Sequence, residues 1–180
     1  MNRNEFEHTI RAAGAVIGAS EVLVIGSQAL HAASGEDLPE QARRSVETDI
    51  AALTDKDGQL ADLIDGSIGE GSMFHSTFGY YAHGVAESTP VLPHGWRDRL
   101  VRFRTPGTGG VTALCLEVHD LWISKAIAGR EKDLEFCSAV ASHGLVQQRV
   151  LAERLDMVTQ LDERIRDAVL RQVRRLSRQG

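Results

Sequence analysis

The sequence predicts a protein of the α/β (α+β) class, with a mixed front half and a helical back half. In the first part of the chain, short apolar runs of strand length alternate with stretches of helical periodicity, whereas only helical patterns follow from Val118 onward. We therefore expect residues 1–117 to form an α/β core and residues 118–180 to form a helical region packed on it. A length of 180 residues suits one domain with such an appendage.

The front half is predicted to contain an amphipathic helix near the N-terminus, a helix over residues 28–31 that Ser27 could cap, a short helix over residues 60–68, and four or five strands. Apolar residues recur at helical spacing over residues 4–19 and 60–68. Strands are predicted over residues 22–25, 46–53, 100–104 and 111–116, and the end of the aromatic-rich stretch 66–84 could form a fifth. Turn-forming residues separate these elements, at 34–39, at 57–58 and at 105–110.

The back half is predicted to contain four helices, over residues 119–128, 131–142, 147–157 and 162–177. The last of them has an apolar side and a set of arginines, at positions 164, 166, 171, 174, 175 and 178. Such a pattern is typical of a solvated helix face. It could also bind RNA or a partner protein, because local positive charge attracts phosphate even on an acidic protein.

Composition limits the classes of function. The formal net charge is −5, which argues against a globally basic nucleic-acid binder and against DNA readout. Cys115 and Cys137 are the only cysteines and lie in apolar stretches, so they are predicted to be reduced core residues. The N-terminus lacks the order of a signal peptide, and no apolar run is long enough to span a membrane. We therefore expect a cytoplasmic protein without membrane contact.

A two-part motif in the first third of the chain indicates nucleotide chemistry. A predicted strand runs directly into Gly26-Ser27, a turn whose backbone N–H groups could bind phosphate, although Ser27 could equally be a plain helix N-cap. Glu47 and Asp49 lie in the next strand, and their i, i+2 spacing puts both carboxylates on one face. Such a pair can hold the Mg²⁺ of a nucleotide, or can consist of exposed acids on an edge strand. Ser45, two residues before Glu47, would share that face.

These residues resemble the motifs of the nucleotidyltransferase superfamily, in the minimal bacterial branch that includes the toxins of abortive-infection (type IV toxin–antitoxin) systems. The family pattern is a strand, a Gly-Ser or Gly-Gly turn that opens a helix, and a strand with the sequence Arg-x-Ser/Thr-x-Asp-x-Asp. Here Arg43, Ser45 and Asp49 match the second part, and Glu47 replaces its first Asp. A later family segment, a leucine-rich helix with Lys followed by Ala-Gly-Arg and Lys-Asp, is matched by residues 120–133.

The resemblance implies a small mixed sheet flanked by helices, and the Mg²⁺-dependent transfer of a nucleotide from a nucleoside triphosphate. It implies that the catalytic residues are Glu47, Asp49 and Lys125, of which Glu47 and Asp49 are the metal ligands. The implied nucleotide-binding residues are Gly26, Ser27, Arg43, Ser45, Arg130 and Asp133. Many members of the superfamily carry a third carboxylate on a later strand, for which Asp98 and Glu117 are candidates.

Several of these residues also have a purely structural interpretation. Lys125 lies on an otherwise apolar helix, where it either snorkels or meets an anion such as phosphate. Arg130 and Asp133 are three residues apart and could form a helix-surface ion pair. His75 and His83 lack the spacing of a metal-ligand set, so they are interpreted as residues that line a pocket or pack on the core.

Two functions are open at this point. The first is an enzyme that transfers a nucleotide to an acceptor, which could be RNA, a protein or a small molecule, with an antitoxin as a possible partner. The second is a catalytically degenerate protein of the same fold that binds a nucleotide or a partner. Glu47 favours this alternative, because the longer side chain moves the carboxylate outward and Mg²⁺ tolerates little distortion.

Overall fold

A computed structural model describes residues 1–34, 37–53, 55 and 57–176 of the chain. The α-helices within these ranges are α1 (Arg3–Ile17), α2 (His31–Ser34), α3 (Glu40–Arg44), α4 (Gln59–Ile68), α5 (Met73–Phe78), α6 (Val118–Ala128), α7 (Glu131–Ser142), α8 (Gln148–Asp156) and α9 (Glu163–Leu176). The strands are β1 (Glu21–Val24), β2 (Glu47–Ala51), β3 (Tyr81–Gly84), β4 (Val101–Phe103) and β5 (Thr112–Cys115). None of the described helices combines the length and the apolar character needed to cross a bilayer.

The five strands form one mixed sheet in the order β3-β2-β1-β5-β4. β1 runs antiparallel to β2 and parallel to β5, β2 is parallel to β3, and β4 is antiparallel to β5. β1 therefore lies at the centre, and β2 is an inner strand between β1 and the edge strand β3. This architecture confirms the predicted α+β fold, a nucleotidyltransferase-like small mixed sheet flanked by helices and followed by a helical C-terminal half.

Helix α1 shows how the sequence fixes a helix against this sheet. It starts at a capping box, in which the side chain of Asn2 accepts a hydrogen bond from the backbone of Glu5 and Glu5 accepts one in return. Its buried stripe includes Phe6, Ile10 and Ala13, spaced at helical periodicity. These side chains belong to one continuous hydrophobic cluster that also contains strand residues and residues of the later helices α6 to α9.

In the helical half, buried polar groups fix how neighbouring helices meet. The indole N–H of Trp122, on α6, donates to the carbonyl oxygen of Cys137, on α7, at 2.9 Å, so the buried ring keeps its polar group paired. Cys137 and Cys115 are buried free thiols, which confirms their prediction as core residues. In α9 the guanidinium of Arg166 donates to two carbonyl oxygens at the end of α8 and just beyond it, those of Leu155 and Val158. At least this arginine of the predicted basic face therefore serves packing.

Most predicted elements are present, with small shifts at their ends. Helices α6, α7 and α8 begin and end within one residue of the prediction, whereas the predicted end of α9 at residue 177 lies outside the described residues, as does Arg178. Strand β2 is shorter than the predicted 46–53. In the loop predicted at 34–39, Ser34 still belongs to α2, and positions 35 and 36 lie outside the described residues. The sequence pattern predicts neither α3 nor α5.

Candidate functional site

Glu47 and Asp49 lie on the same face of β2, as their spacing predicted. The alternating residues Thr48 and Ile50 are fully buried, which leaves the two acids on the other face of the strand. The side chains of Glu47 and Asp49 are 33% and 27% exposed. Because β2 is an inner strand, the alternative interpretation of acids on an edge strand is wrong. Both carboxylates are thus partly sheltered and still open to a ligand.

Strand β3 adds two polar side chains to this face. Its register pairs His83 with Asp49 and Tyr81 with Glu47, so all four side chains share one side of the sheet. His83 Nδ1 lies 3.2 Å from Glu47 Oε1 and 3.2 Å from Asp49 Oδ1. The Tyr81 hydroxyl donates to Glu47 Oε2 at 3.3 Å. The three residues Glu47, Asp49 and His83 offer ligand atoms that all lie within 4.8 Å of one another.

The acidic surroundings shift the pKa of both β3 side chains. Burial lowers the pKa of His83, but its hydrogen bond with Asp49 and the negative charges of Asp49, Glu47 and Asp65 outweigh it, so the pKa lies above its ordinary value. For Tyr81, burial and the charge of Glu47 raise the pKa to about 12. Tyr81 is therefore a protonated hydrogen-bond donor at neutral pH.

The turn after β1 lies directly against Asp49. A Cβ atom on Gly26 would fall 2.0 Å from Asp49 Oδ2, so the carboxylate occupies the space that any larger residue would need. Gly26 is the N-cap position of a 3₁₀ turn, and Ser27 is the first residue of that turn. No side-chain hydrogen bond caps the turn. The interpretation of Ser27 as a helix N-cap is therefore wrong.

Three charged residues of α6 and α7 form a compact group on the helical side of the site. Lys125 Nζ lies 3.1 Å from Asp133 Oδ1, and Arg130 Nε lies 2.5 Å from Asp133 Oδ2. The predicted pair of Arg130 and Asp133 is thus present, but its acid is buried and shared with Lys125. Burial alone raises the pKa of the Asp133 carboxyl, whereas Arg130 and Lys125 together hold it below its ordinary value. The hydrogen bond with Asp133 raises the pKa of the Arg130 guanidinium, and the negative charges of Asp49 and Glu47 raise it further.

Two clefts meet at the carboxylates of β2. The larger has a volume of about 1130 Å³, and its lining includes Ser27, Arg43, Ser45, Glu47, Asp49, Lys125 and Asp133. The smaller has a volume of about 510 Å³ and is lined by Glu47, Asp49, Lys125, Arg130 and His83 together with apolar residues such as Val91. Eight of the nine residues implied by the resemblance therefore line one cleft or the other, and the ninth, Gly26, contacts Asp49.

Arg43 and Ser45 reach the larger cleft from positions that differ from the prediction. Arg43 lies in the short helix α3, and Ser45 is the C-cap of that helix, so neither belongs to the strand. The Ser45 hydroxyl donates to the backbone oxygen of Glu47 at 3.2 Å. Ser45 therefore lies just before β2 rather than in it, and it lines the same cleft as Glu47.

The structure does not support either candidate for a third carboxylate. Asp98 lies in the 3₁₀ turn Trp96–Arg99, and Glu117 caps α6 through the backbone N–H groups of His119 and Asp120. Among the described residues that line the two clefts, neither acid is found. On the strand next to Asp49, the side chain in register is that of His83.

His83 lines a pocket, which is one of the two interpretations that the sequence left open, but no sequence pattern assigned His83, Tyr81 or Lys132 to this site, where all three lie. The spacing between His75 and His83 does not predict a metal site, because the partners of His83 are two acids on another strand. The signal that could have found it is the i, i+2 pair Tyr81 and His83 in a predicted strand, which matches the spacing of Glu47 and Asp49. Lys132 lies next to Asp133 in the segment that carried the resemblance.

Comparison with known proteins identifies one family. The family described as "nucleotidyltransferase of unknown function" (DUF6036) matches residues 7–175. The match therefore includes β1 and its turn, the acids of β2, and the charged group of α6 and α7. No curated protein and no solved structure shows a significant match to the chain.

Proposed function

This chain belongs to the DUF6036 family of nucleotidyltransferases, and we propose that it transfers a nucleotide from a nucleoside triphosphate to a hydroxyl or phosphate acceptor. The observation that carries the proposal is the convergence of Glu47, Asp49 and Lys125 on one cleft that Ser27 also lines. Carboxylates that hold a cation, together with side chains that bind phosphate, are what phosphoryl-transfer chemistry needs at one place.

The triphosphate is proposed to lie in the larger cleft. Ser27 lines this cleft and is not used as a cap, so its hydroxyl and the backbone at Gly26 can donate to phosphate oxygens. Arg43, Lys125 and Lys132 add positive charge along the same lining. Asp133 holds Lys125 and Arg130 in place, which positions their charges without a ligand having to order them.

The carboxylates of Glu47 and Asp49 are proposed to hold Mg²⁺. The donor set fits a divalent cation, because its oxygen atoms and the neighbouring imidazole nitrogen lie within 4.8 Å of one another. Mg²⁺ bound there would neutralise charge on the triphosphate and so favour displacement at phosphorus. The acceptor is proposed to approach through the smaller cleft, which reaches the same two carboxylates and carries the apolar wall that includes Val91.

The test uses label transfer by the purified protein. Wild-type protein, Asp49→Asn and the control Asp156→Asn, which changes an exposed acid at the end of α8, would be incubated with each labelled nucleoside triphosphate, Mg²⁺ and total RNA. We expect transfer by the wild type and the control, and a loss of at least about 100-fold in Asp49→Asn, because a carboxylate ligand is removed. No transfer from any triphosphate, or unchanged transfer by Asp49→Asn, would contradict the proposal.

A second candidate function is supported by two residues of the same site. Glu47 replaces the first Asp of the motif, and His83 rather than a carboxylate is in register with Asp49 on the next strand. A protein of this kind would bind a nucleoside triphosphate or a partner without transferring the nucleotide. Saturable binding of a triphosphate by the wild type, without label transfer to RNA or protein, would favour this alternative.

The sequence resemblance to abortive-infection toxins supports a more specific form of the proposal, in which the enzyme acts in the cytoplasm and an antitoxin partner restrains it. The same variant tests this role. Expression of the wild type alone should arrest bacterial growth, and Asp49→Asn should relieve the arrest. Equal growth with both proteins would contradict the toxin role.

A further inference from the structure

The donor set at the proposed cation site contains one nitrogen as well as carboxylate oxygens. His83 reaches the two acids from β3, because the parallel register of β2 and β3 puts it directly opposite Asp49. Its Nδ1 is 3.2 Å from one oxygen of each carboxylate, so the imidazole faces both acids and not only one of them. The three residues thus offer ligand atoms close enough together to hold one metal ion.

The distances between these atoms fit ligands of one small cation. Two ligands that are each about 2.1 Å from a cation lie about 3.0 Å apart at a right angle and about 3.4 Å apart at a tetrahedral angle. The separations of 3.2 Å between His83 Nδ1 and the two oxygens fall between these values. A cation could therefore be bound with small adjustments of side chains that already face one another.

Neighbouring groups hold the carboxylates in this arrangement. Tyr81 donates to Oε2 of Glu47, which leaves Oε1 directed at His83. Gly26 leaves space for Oδ2 of Asp49, while Oδ1 faces His83. Partners that orient the ligands of a metal in this way raise its affinity.

The presence of an imidazole changes which cation the site prefers. Mg²⁺ favours oxygen ligands in an octahedral arrangement, whereas imidazole nitrogen stabilises first-row transition cations. We propose that Glu47, Asp49 and His83 ligate one divalent transition cation, with Mn²⁺ as its representative, and that His83 makes the site select such a cation over Mg²⁺. This inference rests on the proposed function, which requires a cation at Glu47 and Asp49. It assigns a transition cation, and not Mg²⁺, as the cation that the site prefers.

The test measures metal binding without nucleotide. Mn²⁺ and Mg²⁺ would be titrated into wild-type protein, His83→Ala, His83→Asp and the control His94→Ala, which removes an exposed histidine elsewhere. In His83→Ala we expect Mn²⁺ affinity to fall about tenfold or more, and the ratio of Mg²⁺ to Mn²⁺ dissociation constants to fall with it. In His83→Asp, which supplies a third carboxylate, we expect Mg²⁺ affinity to rise relative to that for Mn²⁺.

A spectroscopic measurement identifies the ligand directly. Pulsed electron paramagnetic resonance of bound Mn²⁺ should show coupling to a ¹⁴N nucleus in wild type and in His94→Ala, and no such coupling in His83→Ala. Coupling that persists in folded His83→Ala, or that is absent from the wild type, would overturn the inference. If His83→Ala does not fold, loss of the coupling in His83→Asp makes the same distinction.

The outcome is separable from that of the proposed function. Suppose that label transfer depends on Asp49 but proceeds equally well with Mg²⁺ in wild type and His83→Ala. This result would support the proposed transferase and overturn the role of His83 in selecting the cation. Nitrogen-coupled Mn²⁺ without transfer from any triphosphate would support the metal site and contradict the transferase. Binding of Mn²⁺ that is unchanged by His83→Ala would show that His83 only hydrogen-bonds the carboxylates, which also overturns the inference.

Discussion

Gly26 lies so close to the Asp49 carboxylate that there is no space for a side chain at position 26. The position of a Cβ on Gly26 is 2.0 Å from Asp49 Oδ2, well inside van der Waals contact. The φ angle of Gly26 is −97°, which any residue can adopt, so the glycine is needed for space and not for backbone freedom. The Gly-Ser turn of the motif therefore has a second role beside phosphate binding, because it lets Asp49 reach its place.

We predict that Gly26→Ala impairs the site much more than the fold. The added methyl group must displace the Asp49 carboxylate, so Mn²⁺ affinity and label transfer should each fall at least about tenfold. Overpacking should cost about 1–3 kcal/mol of the free energy of unfolding. Isothermal titration with Mn²⁺ and urea denaturation measure the two effects.

Gly66→Ala is the matched control for this substitution. No described atom outside its own helix segment lies within 4 Å of a Cβ built at Gly66, within α4. Since alanine is the better helix former, this variant should be as stable as the wild type or more stable by about 0.5–1 kcal/mol. Wild-type metal affinity in Gly26→Ala would show that Asp49 does not depend on this space.

The individual residues of the site differ in how far the sequence could predict them. The shared face of Glu47 and Asp49 follows from the two-residue period of a strand, which is a local property. The role of His83 depends on which strand lies next to β2 and in which register, and both are set by packing of the whole sheet. The anion that Lys125 meets is likewise set by packing, since Asp133 comes from the following helix.

At the scale of elements, one buried carboxylate joins α6 to the start of α7. Asp133 is almost completely buried and pairs with Lys125 on α6 and with Arg130 at the N-cap of α7. The pKa of Asp133 lies below its ordinary value of 3.8. The ionised form therefore stabilises the folded state at pH values above about 4, and this contribution is lost as the pH falls through the lower pKa of the folded protein.

We predict that Asp133→Asn lowers the free energy of unfolding by about 2 kcal/mol near neutral pH, because Lys125 and Arg130 lose their charged partner. The difference from the wild type should shrink below pH 4, where the wild-type carboxylate becomes protonated. Urea denaturation across pH 3–7 measures this. Glu131→Gln, which changes an exposed acid of the same helix, should not show the effect. A difference that stays constant with pH would contradict the assigned ion pair.

Elements with a strong local signal are the ones that the sequence predicted well. Helices α6 and α7 are separated by Gly129, which takes a φ of 65° at the C-cap, and their apolar periodicity is clear. Helix α5 has six residues and no buried side chain, so periodicity could not reveal it. Its caps were the available signal, since Ser72 accepts from the backbone of His75 and Gly79 ends the helix at a φ of 79°.

At the scale of the whole molecule, the boundary between residues 117 and 118 stays a prediction. A buried carboxylate with two arginine partners lies close to this boundary. Asp120, at the start of α6, has a fully buried side chain. Arg99, from the turn before β4, donates to it at 2.8 Å, and Arg154 of α8 lies 3.1 Å from it. One carboxylate thus connects the part of the chain before the boundary with two helices after it.

We predict that Asp120→Asn destabilises both parts of the chain together. Burial raises the pKa of the Asp120 carboxyl despite its two arginine partners, so part of the gain from the ion pairs is already offset. Removal of the charge still leaves Arg99 and Arg154 largely buried without their partner, which should cost about 1–3 kcal/mol of the free energy of unfolding. Because one hydrophobic cluster runs through both parts, the loss should appear as a single calorimetric transition at a lower temperature. Far-ultraviolet circular dichroism, which reports mainly the helices, and the fluorescence of Trp96 and Trp122, one on each side of the boundary, should give the same midpoint.

The control for this variant is Glu153→Gln, which breaks the exposed ion pair of Glu153 with Arg149 on the same helix α8. Exposed pairs of this kind contribute less than about 1 kcal/mol, so the midpoint should hardly move. Two separate transitions in Asp120→Asn, with the helical signal lost first, would show that residues 118–180 unfold as a unit of their own. In that case Asp120 would join two units, and the site would be assembled at their junction, because Lys125 and Asp133 lie after the boundary and Glu47 and Asp49 lie before it.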